Sequence, residues 1–175
     1  GTGWGGLAIH AATNFGCRVT TTTISQQQFY VAQEQITDAG LSDRITLLLQ
    51  DYRDLIGQFD KLVSIEMIEA VGYRYFDTYF RKCGQLLKPD GSFVLQAIVM
   101  PDRRYVQYLK SVDFIQKYVF PGGCLPSMSA MLESAARVTD FRFVHAEDFG
   151  THYAQTLREW RIRFHSQLEI GRAHV

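Results

Sequence analysis

The sequence predicts an α/β fold with a parallel sheet and helices on both of its faces. Runs rich in β-branched and apolar residues alternate with helical patterns, which is typical of βαβ units. The four clearest runs lie at residues 17–24, 44–50, 60–67 and 92–99. The opening stretch, GTGWGGLAIHAA, adds a glycine-rich loop of the kind that joins a strand to a helix in such folds.

The composition indicates one domain of moderate size. With 175 residues the chain can bury a core, and its formal net charge of zero gives no indication of a nucleic-acid partner. Cys17, Cys83 and Cys124 form no close pair, which argues against a disulfide framework or a metal site and fits a reducing, cytoplasmic compartment. No apolar run reaches the length of about 18 residues that a membrane-spanning helix needs.

Helices and strands alternate through the first 100 residues. The apolar stripe of the first helix consists of Leu7, Ala8, Ala11 and Ala12. Ser25 is a suitable N-cap for the second helix, Gln28 occupies the capping-box position and Gly40 can end the helix. One face of the third helix consists of Phe76, Phe80, Cys83 and Leu87, and KPDG at 88–91 predicts a turn before the last of the four strands.

The pattern changes in residues 101–140, which contain no clear strand. Residues 101–120 look helical, 121–127 form a loop and 128–138 form a second helix. This inserted layer is either a lid over a substrate or an ordinary packing layer. A late strand at 141–150 and a helix at 153–168 complete the pattern.

The glycine loop indicates a cofactor site, for which two classes of cofactor compete. Gly1, Gly3 and Gly6 have the G-x-G-x-x-G spacing, which lets backbone N–H groups approach a ligand closely. A nicotinamide dinucleotide site needs an acidic residue about 20 residues further on. Thr23 and Ile24 stand there instead, so the residues favour S-adenosylmethionine.

Three polar or aromatic side chains near strand ends are further candidates to contact the cofactor. Gln28 is expected on the ribose, and Asp51 and Tyr52 follow the strand at 44–50. Ligands bind at the carboxyl ends of strands in open α/β sheets. Each candidate has a structural alternative: a capping residue for Gln28, a loop acid for Asp51 and a core aromatic for Tyr52.

Several separate motifs resemble the cyclopropane-fatty-acyl-phospholipid synthase family, which includes the mycolic acid cyclopropane synthases and fatty-acid C-methyltransferases. The motifs are GTGWGGLA, TISQQQ, LLQDYRDL, QFDKLVSIEMIEAVG, FPGGCLPS and HYAQTLREW, in order from Gly1 to about Leu168. The resemblance implies the class I S-adenosylmethionine-dependent methyltransferase fold, a Rossmann-like sheet with helices on both faces and a helical lid at 101–140.

The resemblance also implies that parts of the family's catalytic domain are absent. A strand ending in E-x-G precedes the glycine loop in the family, and further segments follow the last helix. Residues 1–168 are therefore expected to be a partial catalytic domain that lacks its first strand and its C-terminal end. The final residues, 169–175, do not look like the family and are expected to be a tail.

The implied reaction is methyl transfer from S-adenosylmethionine to the cis double bond of an unsaturated phospholipid acyl chain. Transfer leaves a carbocation, and a bicarbonate ion then accepts a proton, giving a cyclopropane or a methylene branch. The alternatives are a non-catalytic protein of the same fold that binds S-adenosylmethionine or lipid, and a small-molecule methyltransferase. The resemblance leaves a homodimer and peripheral contact with a membrane open.

The motifs also carry over five residues of the reaction site. Glu69 matches the glutamate that orients bicarbonate, Tyr153 matches the family's tyrosine, and Thr2 and Ile98 match positions that contribute backbone contacts. Gln96 stands where well-known bacterial members have a histidine, and glutamine cannot titrate near neutral pH. The structural alternatives are a surface acid for Glu69, a buried amide that binds neighbouring strands for Gln96 and a packed aromatic for Tyr153.

Residues 101–129 are expected to cover the acyl chain and to contact a membrane surface. The apolar candidates are Val106, Leu109, Phe114 and Ile115, and the cationic ones are Arg103, Arg104, Lys110 and Lys117. Asp102 and Asp113 reduce the expected attraction to anionic headgroups. The alternative is a helix packed on the domain with a solvated, charged face.

Overall fold

A computed structural model describes residues 1–167, and these residues form two units. The first unit, Gly1–Phe141, contains every strand and all but the last of the α-helices described. The second unit begins at Arg142 and contains the helix Gly150–Ser166. The predicted tail at 169–175 lies outside the described residues.

The first half of unit one is a pair of parallel strands covered by two helices. The elements are α1 (Gly6–Phe15), β1 (Val19–Thr23), α2 (Gln26–Asp38) and β2 (Ile45–Leu49). The strands pair in register from Val19 opposite Ile45 to Thr23 opposite Leu49. The core between them is small and consists of Ala8, Ala12, Ile36 and Ile45. The predicted strands at 17–24 and 44–50 are thus confirmed.

The second half of unit one is another parallel pair with a larger aromatic core. Its main elements are β3 (Phe59–Ile65), α3 (Phe76–Leu86) and β4 (Leu87–Gln96). Phe76, Phe80 and Cys83 of the predicted apolar face of α3 are buried, whereas Leu87 is the first residue of β4 rather than part of the helix. The core consists of Ile68, Phe76, Tyr79, Phe80, Cys83 and Met131. The opposite side of this strand pair stays 41–58% exposed at Val63, Ile65 and Val94.

The predicted turn at 88–91 lies inside β4 rather than before it. Phe59 pairs with Leu87 and Lys61 with Ser92, so four residues of β4 oppose the single residue Asp60. This irregularity has the character of a large β-bulge, in which extra residues leave the ladder without ending the strand. The KPDG sequence therefore bends the strand.

The helix predicted over 101–120 is broken. The structure has α4 (Asp102–Tyr108), a separate π-helical turn (Ile115–Val119) and α5 (Met128–Val138). Ser111 Oγ donates to Tyr108 O at 3.0 Å, and Gln116 N donates to Asp113 Oδ1 at 2.7 Å. Short polar side chains that bond to nearby backbone compete with helix continuation, which explains the break.

The strand predicted at 141–150 is wrong, because the structure has no regular element between Phe141 and the helix α6 (Gly150–Ser166). Within the described part of the chain these residues have no ladder partner, and Val144 is 90% exposed. Asp148 Oδ1 accepts from Gly150 N at 2.8 Å at the start of α6. No helix in residues 1–167 is long and apolar enough to cross a membrane.

The N-terminal loop lies between the two strand pairs. Thr2 N donates to Thr22 O at 2.6 Å, next to the end of β1. The Gly1 nitrogen lies 3.1 Å from Met67 Sδ, just after β3. The glycine loop is therefore at the carboxyl ends of β1 and β3, where ligands bind in open α/β sheets.

Candidate active site

The glycine loop has two residues in the left-handed region of φ. Gly3 has φ +54° and Gly5 has φ +94°. A Cβ added at Gly5 would lie 3.2 Å from Ala32 Cβ, whereas one added at Gly6, the first residue of α1, would meet nothing within 4 Å. Position 5 therefore requires glycine both for its positive φ and for its close approach to Ala32. The G-x-G-x-x-G spacing did not identify this position.

Thr2 contributes an unusual polar atom to this loop. Thr2 is buried, and its Oγ1 makes no hydrogen bond to any described residue. A buried hydroxyl without a partner is unfavourable by about 1–3 kcal/mol. Thr2 thus offers a donor and an acceptor to a polar ligand in the loop.

The end of β1 orients Gln28, as a chain of side-chain hydrogen bonds shows. Ser25 Oγ accepts from Gln28 N at 3.3 Å, which confirms Ser25 as the N-cap of α2. The Gln28 side chain does not complete a capping box, because its Oε1 accepts from Thr23 Oγ1 at 2.8 Å. Its Nε2 donates to no described residue, and the neighbouring Ile24 is 78% exposed. Gln28 is therefore held in place with its amide N–H groups left for a ligand.

Asp51 and Tyr52, which follow β2, make the contacts expected of a loop acid and of a core aromatic residue, respectively. Asp51 accepts from Arg53 Nε at 2.9 Å and from Arg53 Nη2 at 2.8 Å, and this side-chain pairing lowers the Asp51 pKa. The Tyr52 ring packs edge-on against Tyr79 with ring centroids 5.7 Å apart. Their contacts with a cofactor stay predictions.

The structure brings Glu69 and Ile98 together. Glu69 lies on the short turn Ile68–Ala70 that follows β3, and Ile98 follows β4. Ile98 N donates to Glu69 Oε1 at 2.8 Å. The other carboxylate oxygen, Oε2, is buried and has no hydrogen-bond partner among the described residues. One oxygen of this carboxyl group is thus fixed and the other is available.

Glu66 is a further candidate for the site that sequence reasoning missed. It has φ +47°, which is uncommon for any residue other than glycine. Its N–H donates to Gln96 O at 2.9 Å, and Gln96 Nε2 donates to Glu66 Oε1 at 3.1 Å. The signal was present in SIEMIEAVG, which has two glutamates three positions apart directly after a buried strand.

Burial controls the electrostatics of Glu69. Burial raises the pKa of Glu69, the Ile98 N–H opposes this shift, and the charge of Glu66 raises the pKa further. The Glu69 carboxyl group therefore keeps its proton to a higher pH than an exposed glutamate does. In the neutral form it can donate a hydrogen bond to an anion, and in the ionised form it can only accept one.

Tyr153 lies near the start of α6, in the second unit. Its role in the reaction stays a prediction that rests on the motif in which it stands. Among residues 1–167, no group of three or more His, Cys, Asp or Glu side chains is placed to hold a metal ion.

Comparison with known proteins matches nearly the whole chain. A family model described as mycolic acid cyclopropane synthetase matches residues 1–174. The tuberculostearic acid methyltransferase UfaA1 of Mycobacterium tuberculosis is 45% identical over 175 residues, covering 100% of this chain and 40% of that protein. The cyclopropane-fatty-acyl-phospholipid synthase of Escherichia coli K12 is 42% identical over 164 residues, covering 94% of this chain and 40% of that protein. The chain spans about 40% of the length of these two relatives.

Solved structures share the fold. The mycolic acid cyclopropane synthase CmaA1 complexed with SAH and CTAB superposes with a TM-score of 0.84 at 26% identity, covering 95% of this chain and 61% of that one. The cyclopropane synthase MmaA2 from Mycobacterium tuberculosis gives the same TM-score, 0.84, at 23% identity, with the same two coverages, 95% and 61%. The predicted class I S-adenosylmethionine-dependent methyltransferase fold is confirmed.

Proposed function

Because the chain belongs to the mycolic acid cyclopropane synthetase family, we propose that it acts in methyl transfer from S-adenosylmethionine to the cis double bond of an unsaturated phospholipid acyl chain. The observation that carries this proposal is the Glu69 carboxyl group. One of its oxygens is fixed by Ile98 N–H at 2.8 Å, and the other is buried without a partner among the described residues. A buried polar atom without a partner is unfavourable in a purely structural role, and a bound polar reactant would satisfy it.

The glycine loop fits S-adenosylmethionine. The left-handed φ values of Gly3 and Gly5 turn the chain so that backbone N–H groups can approach a ligand, and Thr2 Oγ1 is a buried polar atom in need of a partner. We place the methionine part of the cofactor against Gly1, Gly3 and Gly6, and its ribose against Gln28. The remaining contacts proposed for the cofactor are those of Thr23, Ile24, Asp51 and Tyr52.

The reaction first requires that the alkene is positioned against the donor methyl group. S-adenosylmethionine supplies an electrophilic methyl group, and bicarbonate supplies the base for the proton that must leave after transfer. An alkene is a weak nucleophile, so the chain has to hold the double bond in line with the methyl carbon. Such a transfer would form a C–C bond to one alkene carbon as the methyl leaves the donor sulfur, and the positive charge would fall on the neighbouring carbon. Loss of a proton from the delivered methyl would then close the cyclopropane ring, whereas a methylene branch would need a hydride shift from the methylated carbon to the cationic carbon before the methyl loses its proton.

Glu69 suits the task of holding the base. Burial raises the pKa of Glu69, and a bound anion would raise it further, so that the neutral carboxyl group can donate a hydrogen bond from Oε2 to an oxygen of that anion. An ionised carboxylate in the same place would repel that anion. Ile98 fixes the rotation of the carboxyl group, and Glu66 holds the Gln96 amide beside it. Thr2 is proposed as another member of this polar site, and a role for Tyr153 in the reaction is proposed from its motif alone.

The test is the substitution Glu69→Gln in the full-length protein, with Glu34→Gln, an exposed position on α2, as the matched control. Product is followed as the mass gained by unsaturated phospholipid, and cofactor affinity is followed by calorimetry. We expect product formation to fall by about tenfold with cofactor affinity unchanged, because the glutamine N–H is a weaker hydrogen-bond donor to an anion than the O–H of a neutral carboxyl group.

Two outcomes would contradict the proposal. A Glu69→Gln rate equal to that of the wild type would remove Glu69 from the reaction. Tight binding of S-adenosylmethionine with no product from any unsaturated phospholipid would favour a non-catalytic binding protein of the same fold.

A further inference from the structure

A cleft of about 320 Å³ is lined in part by the segment that follows Glu69. Its walls are residues 72–75, residues 122–124 and four residues between Leu109 and Gln116. Cys124 N, on one wall, donates to Glu69 O at 2.8 Å. The cleft is therefore built on the same backbone that carries the proposed reaction site, and it contains neither Glu69 nor any cofactor candidate.

The cleft and its surroundings carry cations that no acid among the described residues neutralises. Arg74 lines the cleft; its Nε donates to Tyr73 OH at 3.2 Å, and its guanidinium carbon lies 5.6 Å from the centre of the Tyr73 ring. Lys117 Nζ lies 5.0 Å from the centre of the Tyr118 ring. The salt bridges of residues 1–167 do not include Arg74, Lys110 or Lys117. These cations are available to an anionic ligand.

Next to the cleft, the π-helical turn exposes a patch of aromatic rings. This ring patch consists of Phe114, Tyr118 and Phe120, whose exposed fractions are 68%, 64% and 68%. The Phe114 and Tyr118 rings lie 5.1 Å apart. Gln116, between them in sequence, lines the cleft and donates from Nε2 to Gly123 O at 3.1 Å. Clustered exposed apolar side chains mark interaction surfaces, and rings beside cations are typical of lipid interfaces.

We propose that the cleft and the ring patch form a docking surface for an anionic phospholipid membrane. Arg74 binds the phosphate of one headgroup, Lys110 and Lys117 face neighbouring headgroups, and the ring patch inserts among the acyl chains. Residues 101–120 carry four cations and two acids, so their charge complements such a surface. This inference rests on the proposed function, in that the substrate of the reaction is itself a membrane lipid.

The experiment is flotation of the full-length protein with vesicles of phosphatidylcholine, alone or mixed with phosphatidylglycerol. Arg74→Gln is compared with Arg18→Gln, an arginine remote in sequence, and Phe114→Ser is compared with Phe15→Ser, a ring that is 73% exposed on α1. We expect Arg74→Gln to weaken binding to the anionic vesicles by about fivefold, and added salt to reduce this difference. Phe114→Ser should weaken binding to both kinds of vesicle by on the order of tenfold. The two controls should bind as the wild type does.

The possible outcomes test the docking surface independently of the proposed reaction. If Arg74→Gln and Phe114→Ser bind vesicles as well as their controls, the docking surface is wrong, whatever the activity. It is equally wrong if inorganic phosphate binds at Arg74 as tightly as the vesicles, or if Phe114→Ser dissociates a dimer while vesicle binding is unchanged. If the protein forms no product but vesicle binding depends on both residues, the proposed function fails and the docking surface stands. Arg74→Gln should keep wild-type activity on detergent-dispersed substrate.

Discussion

Ile98 N donates to Glu69 Oε1 at 2.8 Å and so joins the segment after β4 to the turn after β3. The bond fixes one oxygen of a carboxyl group whose other oxygen is buried without a partner in the described chain. Burial raises the pKa of Glu69, and Glu66 adds to that effect. A half-buried glutamate with one carboxyl oxygen left without a partner reduces the stability of the ionised protein, which is typical of groups kept for function.

Glu69→Gln should therefore stabilise the protein at neutral and alkaline pH. The glutamine carbonyl can still accept from Ile98 N–H, and no charge is buried. Because the folded-state pKa of Glu69 is raised, its favourable contribution is fully present below about pH 4 and is lost as pH rises through the folded-state pKa. We expect the variant to gain on the order of 1 kcal/mol in free energy of unfolding at about pH 8.

Urea unfolding at several pH values measures this difference, and Glu34→Gln on α2 is the control. The gain should shrink towards zero near about pH 4, where the wild-type carboxyl group is also neutral. A gain that does not depend on pH, or a loss at every pH, would contradict the buried-charge explanation.

The sequence was sufficient to predict which residues follow the ends of the strands, but it did not predict the backbone conformation at Glu66 and Gly5. Glu69 and Ile98 follow two buried runs, and adjacent parallel strands bring such positions to one edge. The positive φ of Glu66 and the tight contact of Gly5 with Ala32 depend on tertiary packing, which spacing does not encode. The strand at 141–150 was predicted from its apolar residues, but a strand also needs a neighbour with which to pair.

Gly5→Ala should destabilise the protein, whereas Gly6→Ala should not. At Gly5 an alanine would have to keep φ +94° and place its Cβ 3.2 Å from Ala32 Cβ. We expect a loss of about 1–3 kcal/mol in free energy of unfolding from the left-handed conformation and the close contact together. At Gly6, the first residue of α1, a Cβ has open space, and alanine is a better helix former than glycine. Equal urea midpoints for the two variants would show that the loop is not held in this conformation.

Asp77 should stabilise the packing of α3 on α5 in a pH-dependent way. It accepts from Ser134 Oγ at 2.6 Å and from Arg137 Nε and Nη2, both at 3.0 Å. Arg137 first, and then Ser134, lowers the pKa of Asp77, so this contribution is present above about pH 4 and is lost as pH falls through the folded-state pKa. Asp77→Ala leaves the buried Ser134 hydroxyl without its acceptor, at a cost of about 1–3 kcal/mol.

The exposed Lys88–Asp60 pair supplies the control for Asp77. Water screens this pair, so Asp60→Ala should leave the urea midpoint unchanged. The loss caused by Asp77→Ala should diminish as the pH falls below about 4 towards the lowered folded-state pKa of Asp77. If both alanine variants shift the midpoint equally at neutral pH, surface charge would explain the effect better than the bond to Ser134.

Gln28→Ala should weaken binding of S-adenosylmethionine without disturbing α2. The helix cap uses Gln28 N, which alanine also provides, so the bond to Ser25 Oγ is kept. What is lost is the side chain that Thr23 Oγ1 holds at 2.8 Å, whose amide N–H groups we assign to the ribose. One hydrogen bond contributes about 0.5–1.5 kcal/mol, so the dissociation constant should rise by about two- to tenfold. Thr23→Val should have a smaller effect in the same direction, because it frees the amide to rotate.

Gln35→Ala, on the exposed side of α2, serves as the control in calorimetry. Tighter binding of a nicotinamide dinucleotide than of S-adenosylmethionine would reject the cofactor assignment, and unchanged affinity in Gln28→Ala would limit Gln28 to a structural role.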